Sequence, residues 1–327
     1  MPLIDSFQRR ISYLRISVTD RCNLRCQYCM PEGGVLPSAR EDLLSYEEIR
    51  RIAACFVKLG VRHVRLTGGE PLVRKDLVRL VAMLASLPGI EDLSMTTNGT
   101  LLAQYAPELA AAGLKRLNIS LDSLDPKRFE AITRGGKLEE VLAGIDRAIE
   151  VGLAPIKLNV VVMRGRNEDE LLEFAAHAGS RRLIIRFIEC MPMADVGQYN
   201  RDHFVSTDEM KRIIEASYSL EPITVPGSGP AVYFRVRGTG ATLGFISPLA
   251  PHFCEACNRV RLTALGRLRL CLDHEDHLDL KALLRSGITD EGLEAEIASA
   301  ILRKPEKNRF LDDTRYISLG VMSAIGG

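Results

Sequence analysis

The chain has almost no net charge, with 43 Lys and Arg against 42 Asp and Glu. That balance removes the global field that would draw a protein onto nucleic acid or an anionic membrane. Any anion it binds must therefore be caught by local basic residues. No apolar run approaches the ~18 residues that a membrane span needs. Met1 to Arg10 holds no hydrophobic stretch of the signal-peptide kind. The expectation is a cytoplasmic protein with neither a nucleic-acid nor a membrane partner. Repeats and low-complexity tracts are also missing, which excludes a solenoid or a disordered chain. With 327 residues, 46% hydrophobic and 26% charged, the chain can bury roughly three quarters of its unfolded surface, enough for one large domain and a smaller one.

What is present is rhythm. The first two thirds alternate strand-like with helix-like segments. Strands are expected at Tyr13–Thr19, His63–Thr67, Leu93–Thr97, Arg116–Asp122, Ile156–Val162 and Leu183–Glu189. Helical patterns fall between them at Tyr46–Leu59, Leu101–Ala112, Leu138–Val151 and Glu168–Gly179, and Gly60, Gly113 and Gly152 sit just past helix ends. This repetition predicts an α/β fold of parallel strands with helical crossovers. Six units are too few to close an eight-stranded barrel, so a partial, TIM-like (β/α)6 barrel is expected. From about Ser206 the rhythm changes. Thr207–Tyr218 reads as one more helix, residues 222–230 are rich in Pro and Gly, and β-like runs follow at Ala231–Arg237 and Ala241–Ser247. Helices are expected at Leu278–Ser286 and Thr289–Arg303. A soft boundary near residue 220 divides a barrel (1–220) from a C-terminal α+β region (221–327).

The strands carry a second message, because successive side chains point to opposite faces. Leu14, Ile16 and Val18 oppose Arg15, Ser17 and Thr19. Val64 and Leu66 oppose His63, Arg65 and Thr67. Leu117, Ile119 and Leu121 oppose Arg116, Asn118, Ser120 and Asp122. Lys157 and Asn159 alternate with Leu158 and Val160, and Arg186 stands among apolar neighbours. Parallel strands covered on both faces read as continuous apolar runs, and an ordinary closed barrel fills its lumen with Val, Ile and Leu. A lumen carrying Arg15, Arg65, Lys157 and Arg186 reads instead as a wet cavity for a polar, anionic ligand. The alternative is that some of these strands lie at an exposed edge.

Eight cysteines in a reducing compartment point to ligands or catalysts rather than disulfides. Cys22, Cys26 and Cys29 follow the first strand, in the loop where parallel α/β folds place their chemistry. A structural zinc wants four ligands, and a four-iron cluster normally takes four cysteines. With three, one iron keeps an open site for a small molecule. A zinc completed by a distant residue and unligated core thiols remain the alternatives. Cys254, Cys257 and Cys271 form a second trio. Spacing alone suggests a zinc ribbon lacking one ligand, which His252, His274 or His277 could supply, but Arg259 and Arg261 beside it offer forked donors suited to phosphate. Cys55 reads as core filler and His63 as satisfied packing. Glu189 and Asp122 could bind ribose hydroxyls or pair with Arg186 and Arg116.

The run Cys22-x₃-Cys26-x₂-Cys29, with Tyr28 before the last cysteine, resembles the radical S-adenosylmethionine superfamily. The turn Thr67-Gly68-Gly69-Glu70-Pro71 after the second strand matches that family's glycine-rich contact to the methionine amine. Tyr13 to Arg21, both cysteine groups, Cys257-Asn258-Arg259-Val260-Arg261-Leu262-Thr263 and the final Gly326-Gly327 are together similar to the GTP 3′,8-cyclase family of molybdenum-cofactor biosynthesis, nearly end to end. Two small departures are Leu265, where an acidic turn residue is usual, and Cys190, where an aliphatic one is. The resemblance implies two [4Fe-4S] clusters, on Cys22, Cys26 and Cys29 and on Cys254, Cys257 and Cys271. It implies S-adenosylmethionine bound by Tyr28, Gly68, Gly69, Glu70, Ser120 and Met191. GTP contacts would come from Arg15, Arg65, Thr96, Lys157, Arg259, Val260 and Arg261, with the Gly326-Gly327 tail entering the site. The implied reaction removes the ribose C3′ hydrogen with a 5′-deoxyadenosyl radical and closes the sugar onto guanine C8. Implied partners are a flavodoxin- or ferredoxin-type electron donor, the next enzyme, cyclic pyranopterin monophosphate synthase, and a second copy in a homodimer. The rival reading is a two-cluster radical enzyme that modifies a peptide.

Overall fold

The computed structural model describes residues 2–181, 183–192, 196–225, 229–250, 253–274, 276–308, 310 and 325. Six strands form first: β1 (Tyr13–Ser17), β2 (His63–Thr67), β3 (Asp92–Thr97), β4 (Arg116–Ser120), β5 (Ile156–Val162) and β6 (Ile184–Glu189). They lie side by side in that order and all parallel. Their bounds fall within a few residues of those the alternation predicts.

Helices return the chain between strands. They include α1 (Tyr46–Lys58), α2 (Leu77–Ala85), α3 (Leu102–Ala111), α4 (Pro126–Thr133), α5 (Leu138–Glu150) and α6 (Leu171–Arg181). At the start of α1, Ser45 accepts from the Glu48 amide while Glu48 reaches back to the Ser45 amide, satisfying two amides that a helix start leaves open. Gly60, Gly113 and Gly152 all take positive φ past their helices, a conformation that costs other residues about 1–2 kcal/mol. The apolar strand residues Leu14, Ile16, Val64, Leu66, Leu117, Ile119, Leu158 and Ile185 are fully buried in one continuous core with the helices. The opposite, polar face is therefore left to the lumen.

The last third extends this sheet. Beyond α7 (Gly197–Asp202) and α8 (Thr207–Glu215) come β7 (Leu220–Ile223), β8 (Val232–Val236) and β9 (Thr242–Ile246). β9 lies parallel beside β6, and β8 and β7 follow it antiparallel. On the far side β10 (Arg259–Leu262) lies parallel beside β1, followed antiparallel by β11 (Arg267–Arg269) and β12 (His277–Asp279). The order is β12-β11-β10-β1-β2-β3-β4-β5-β6-β9-β8-β7. The six expected strands thus become eight parallel ones, because the open edges of β1 and β6 present unpaired backbone groups that the C-terminal region covers. The outermost strands are short, and β7 carries Pro222, as suits an edge. Helix α9 (Leu280–Arg285) begins two residues later than expected, because His277–Asp279 pairs with β11 and Asp279 caps the helix through the Ala282 amide. The final helix, α10, spans Asp290–Ile301. Among the described residues no helix is long and apolar enough to cross a membrane.

Candidate active site

The topology puts the two cysteine trios at opposite ends of one pair of strands. Cys22, Cys26 and Cys29 follow the C-terminal end of β1. Cys254 and Cys257 precede the N-terminal end of β10, which runs parallel to β1 with Tyr13 opposite Arg259. β11 runs back antiparallel and delivers Cys271 to the same end. The five residues of β1 span ~13 Å, which sets the scale of the separation. All six thiols line a single cavity of about 300 Å³, and no disulfide joins any of them.

The first trio is held by the turn after β2. The Gly69 amide donates to the Thr19 carbonyl and the Glu70 amide to the Arg21 carbonyl, both at 2.8 Å. A Cβ on Gly68 would lie 2.6 Å from the Thr19 oxygen, and one on Gly69 would collide with the Arg21 carbonyl. The two glycines are thus required where the loops touch, and they also face the cavity. Glu70 does not line it. Its fully buried carboxylate accepts from the Leu72 amide (3.0 Å), the Thr97 hydroxyl (2.7 Å) and the Asn98 amide (2.6 Å). Burial nevertheless pushes this carboxyl up to about 7. Asn98 in turn donates to the Asn23 side chain at 2.8 Å, so Glu70 braces the cysteine loop from behind.

Burial pushes the Cys26 thiol well up, and Asp122, Cys29 and Cys22 push it further. Asp122 accepts from the Tyr28 hydroxyl and from the Val161 amide, both at 2.9 Å, and burial raises its carboxyl to about 6. It is therefore not a partner of Arg116, which pairs with Asp92. Glu189 likewise leaves Arg186 alone and accepts from the Thr207 amide at 2.9 Å. Ser120 and Met191 line the cavity at this end.

The middle of the lumen and its second end are basic. Arg261, Arg15 and Arg65 stand at one register on three neighbouring strands, which run ~4.8 Å apart. Arg186 reaches in from β6 and donates to the Asn118 side chain at 2.5 Å. None of Arg15, Arg65, Arg186, Arg259 or Arg261 has a carboxylate within ion-pair distance among the described residues. The Nε atoms of Arg15, Arg186 and Arg261, with Thr96 Oγ1 and Asn159 Oδ1, are buried without a hydrogen-bond partner. Burial lowers the pKa of Arg15, and Arg261 lowers it further. Burial and Arg259 bring Arg261 down to about 10. Such crowding costs free energy unless an anion sits among the cations.

Of the residues the sequence nominates, the six cysteines and Tyr28, Gly68, Gly69, Ser120, Met191, Arg15, Arg65, Thr96, Arg259 and Arg261 converge on this cavity. Glu70, Lys157 and Val260 are not in its wall. Lys157 is 7% exposed and meets the Tyr233 hydroxyl at 3.2 Å. Val260 is fully buried in the core. Gly326 and Gly327 lie outside the described residues. Several cavity residues went unnoticed in the sequence, and three of them touch the groups that hold the thiols. Lys304 is 3% exposed and donates to the Leu270 carbonyl beside Cys271. Asn308 donates its amide (3.4 Å) and side chain (3.3 Å) to Cys254 Sγ. Asn200 bridges two carbonyls beside Tyr28. Nothing local to these three residues marks them.

The donor set fits two clusters with an open corner each. Each end offers three thiols, and neither His274 nor His277 lines the cavity as a fourth ligand; His252 lies outside the described residues. Among the described residues no three His, Cys, Asp or Glu side chains close on a single-ion point.

The chain matches known families along most of its length. The sequence pattern of the Radical SAM superfamily matches residues 16–178, and that of Molybdenum Cofactor Synthesis C matches 183–310. The GTP 3′,8-cyclase of Thermodesulfovibrio yellowstonii is 49% identical over 99% of both chains, and that of Alkaliphilus metalliredigens 45% over 99% of both. The chain belongs to the GTP 3′,8-cyclase family. Solved structures agree on the fold. SuiB of Streptococcus suis bound to S-adenosylmethionine superposes with a TM-score of 0.62 at 15% identity, covering 95% of this chain and 78% of that one. SuiB bound to its precursor peptide SuiA gives 0.63 at 16%, over 90% and 65%. That likeness is one of fold. The full-length relatives are cyclases, so membership of the cyclase family displaces the peptide-modifying alternative.

Proposed function

We infer that the chain performs the reaction for which its family is named, joining ribose C3′ to guanine C8 of GTP in a radical S-adenosylmethionine reaction of molybdenum-cofactor biosynthesis. The single observation that carries this reading is the charge pattern of the lumen, where in-register arginines without carboxylate partners lie between two three-thiol ends. The barrel, 1–220, would hold the first [4Fe-4S] cluster on Cys22, Cys26 and Cys29 with S-adenosylmethionine. The C-terminal region, 221–327, would hold the second on Cys254, Cys257 and Cys271. When bound and reduced, the first cluster with S-adenosylmethionine supplies the 5′-deoxyadenosyl radical that takes the C3′ hydrogen.

The chain's own residues position and shield. The loop-to-loop contact at Gly68 and Gly69 fixes the first trio against the end of β2, where the methionine group would lie beside Tyr28, Ser120 and Met191. Arg15, Arg65, Arg259 and Arg261 would take the triphosphate, with Thr96 supplying a free hydroxyl. Charge-assisted hydrogen bonds contribute about 1.5–3 kcal/mol each. Several of them reach the roughly −8 kcal/mol of micromolar binding once association costs are met. Lys157, withdrawn onto Tyr233, would need to swing its ammonium toward the anion. The electron donor, the next enzyme and a second copy as partners rest on the family resemblance.

The test is anaerobic. After reconstitution with iron and sulfide, the protein receives reductant, S-adenosylmethionine and GTP. 5′-Deoxyadenosine should appear only when GTP is present and in step with cyclised product. 5′-Deoxyadenosine formed with a peptide substrate and not with GTP would overturn the reading.

A further inference from the structure

Three segments far apart in sequence meet at Cys254, and one side chain ties them together. Arg9 is 8% exposed, and each of its guanidinium nitrogens is engaged. Nε donates to the Asp5 carboxylate at 2.6 Å and Nη2 to the Pro305 carbonyl at 2.6 Å. Nη1 donates to the Cys254 carbonyl at 3.0 Å and to the Glu306 carbonyl at 2.6 Å. The N-terminal turn thus clamps the chain that follows α10 against the loop of the second trio. Asn308, just past that clamp, is delivered onto Cys254.

The Asn308 amide is oriented from both sides. Its Nδ2 donates to the Pro248 carbonyl at 3.1 Å, a group that can only accept, and its Oδ1 accepts from the Phe310 amide at 3.4 Å. Nδ2 also donates to Cys254 Sγ at 3.3 Å, and the Asn308 backbone amide reaches the same sulfur at 3.4 Å. Two N–H donors on one sulfur suit a thiolate far better than a neutral thiol. The first trio holds Cys22 more loosely. Its Sγ accepts from the Leu24 amide at 3.4 Å, but the nearest side-chain donor, Asn98 Nδ2, stands 3.9 Å away.

We propose that Asn308, held in place by Arg9, raises the redox potential of the second cluster above what its three thiolates alone would give. This rests on the reading that Cys254, Cys257 and Cys271 hold a [4Fe-4S] cluster. Reduction adds one electron, from the low-potential carrier or from dithionite, and makes or breaks no bond. The ligand sulfurs share the added negative charge. N–H donors aimed at them therefore stabilise the reduced state more than the oxidised one. Arg9 is a positioning residue, acting only through the backbone it holds.

The experiment measures potential, not turnover. Anaerobically reconstituted holoenzyme is poised with dithionite and mediators and followed by electron paramagnetic resonance. The reduction step that moves when S-adenosylmethionine is added marks the first cluster. Asn308→Leu keeps the shape of the side chain and removes its donor. At the wild-type midpoint the reduced-to-oxidised ratio of the second cluster should fall about tenfold, a one-electron shift of ~59 mV. Asn308→Asp, which sets a carboxylate beside the sulfur, should lower it further. Arg9→Lys keeps the ion pair with Asp5 but cannot span three carbonyls, and should give a smaller shift of the same sign. The first step should stay fixed in all three variants. An unchanged ratio with iron content intact, or an equal shift of both steps, would make Asn308 a strut between Pro248 and Phe310 and overturn the proposal. Where Asn308→Leu loses the second cluster, Arg9→Lys decides by the same criterion. If the wild type takes up no cluster at the second trio, the cluster reading fails instead.

Discussion

The two ends of the lumen carry the same three thiols but differ in the cations around them. At the first end, burial raises Cys26, and every charged neighbour that acts on it strongly is an acid or another thiol. Burial likewise raises Cys22, with Glu70 adding to the effect and Arg25 opposing it only weakly. At the second end burial raises Cys254 as well, whereas at Cys257 the charges of Arg259 and Lys304, the Arg259 amide and Arg261 outweigh burial and hold the thiol at about 6. Identical ligands thus face a cation-poor wall at one end and a cation-rich one at the other. An S-adenosylmethionine carries a sulfonium and an ammonium, and GTP carries a triphosphate. Under the proposed function, this difference in field would favour S-adenosylmethionine at the first end and the triphosphate at the second.

The comparison breaks most completely if the ends depend on one another for their metal. Cys26→Ala should lose about half of the iron taken up on reconstitution, while GTP affinity stays near wild type. Loss of nearly all the iron would mean that the second end cannot fill alone. Next in size, Arg261→Ala or Arg15→Ala should weaken GTP binding ~10- to 100-fold, the worth of one charge-assisted hydrogen bond. The same variants should bind S-adenosylmethionine as wild type does and keep both clusters. Equal weakening of both ligands in calorimetry would show that the lumen does not sort by charge.

Much of this polarity was legible in the sequence. Strand alternation exposed Arg15, Arg65 and Arg186 as one polar face because the other face must meet helices, a rule that needs no long-range information. The neighbour of that face was not legible. Arg261 joins Arg15 only because β10 crosses some 240 residues of sequence to lie beside β1, and no local pattern carries so distant a pairing. Glu70 shows a different limit. A carboxylate in a glycine turn reads as a ligand contact, but only the fold reveals that three donors have already taken its oxygens. Asn200, Lys304 and Asn308 sit in segments without periodicity, where position is decided by what the tertiary structure brings alongside. The domain boundary near residue 220 has a similar ambiguity, since the sheet runs through it without a break.

A smaller effect sharpens the basic end. Burial brings Lys157 down to about 7, with Arg186 and Arg116 adding to the shift. Below pH 7 the ammonium is already charged in the free protein. Above it, binding a triphosphate must draw in a proton, so GTP affinity should fall by up to about tenfold per pH unit between 7 and 8.5. Lys157→Met should bind more weakly and lose this added slope when affinity is followed by calorimetry over the same range. A variant with an unchanged slope would place the titrating group elsewhere.

The smallest effect concerns the brace behind the first end. Glu70 titrates near 7 in the folded chain and near 4.3 when unfolded. Between those values the native state binds the extra proton, so this residue makes stability fall as pH rises from about 4.5 to 7. Glu70→Gln removes the titration and should flatten that part of the stability curve. It also leaves one of the Leu72, Thr97 and Asn98 donors facing an NH₂ group, at a cost of about 1–3 kcal/mol. Because Asn98 links this carboxylate to the cysteine loop through Asn23, the variant should also loosen S-adenosylmethionine binding by a few-fold, with GTP affinity unmoved. Denaturant unfolding at pH 5, 6 and 7 measures the first effect, and paired titrations measure the second. If the pH slope survives in the variant, another buried acid is its source, and Asp122, held near 6 beneath Tyr28, is the next to replace.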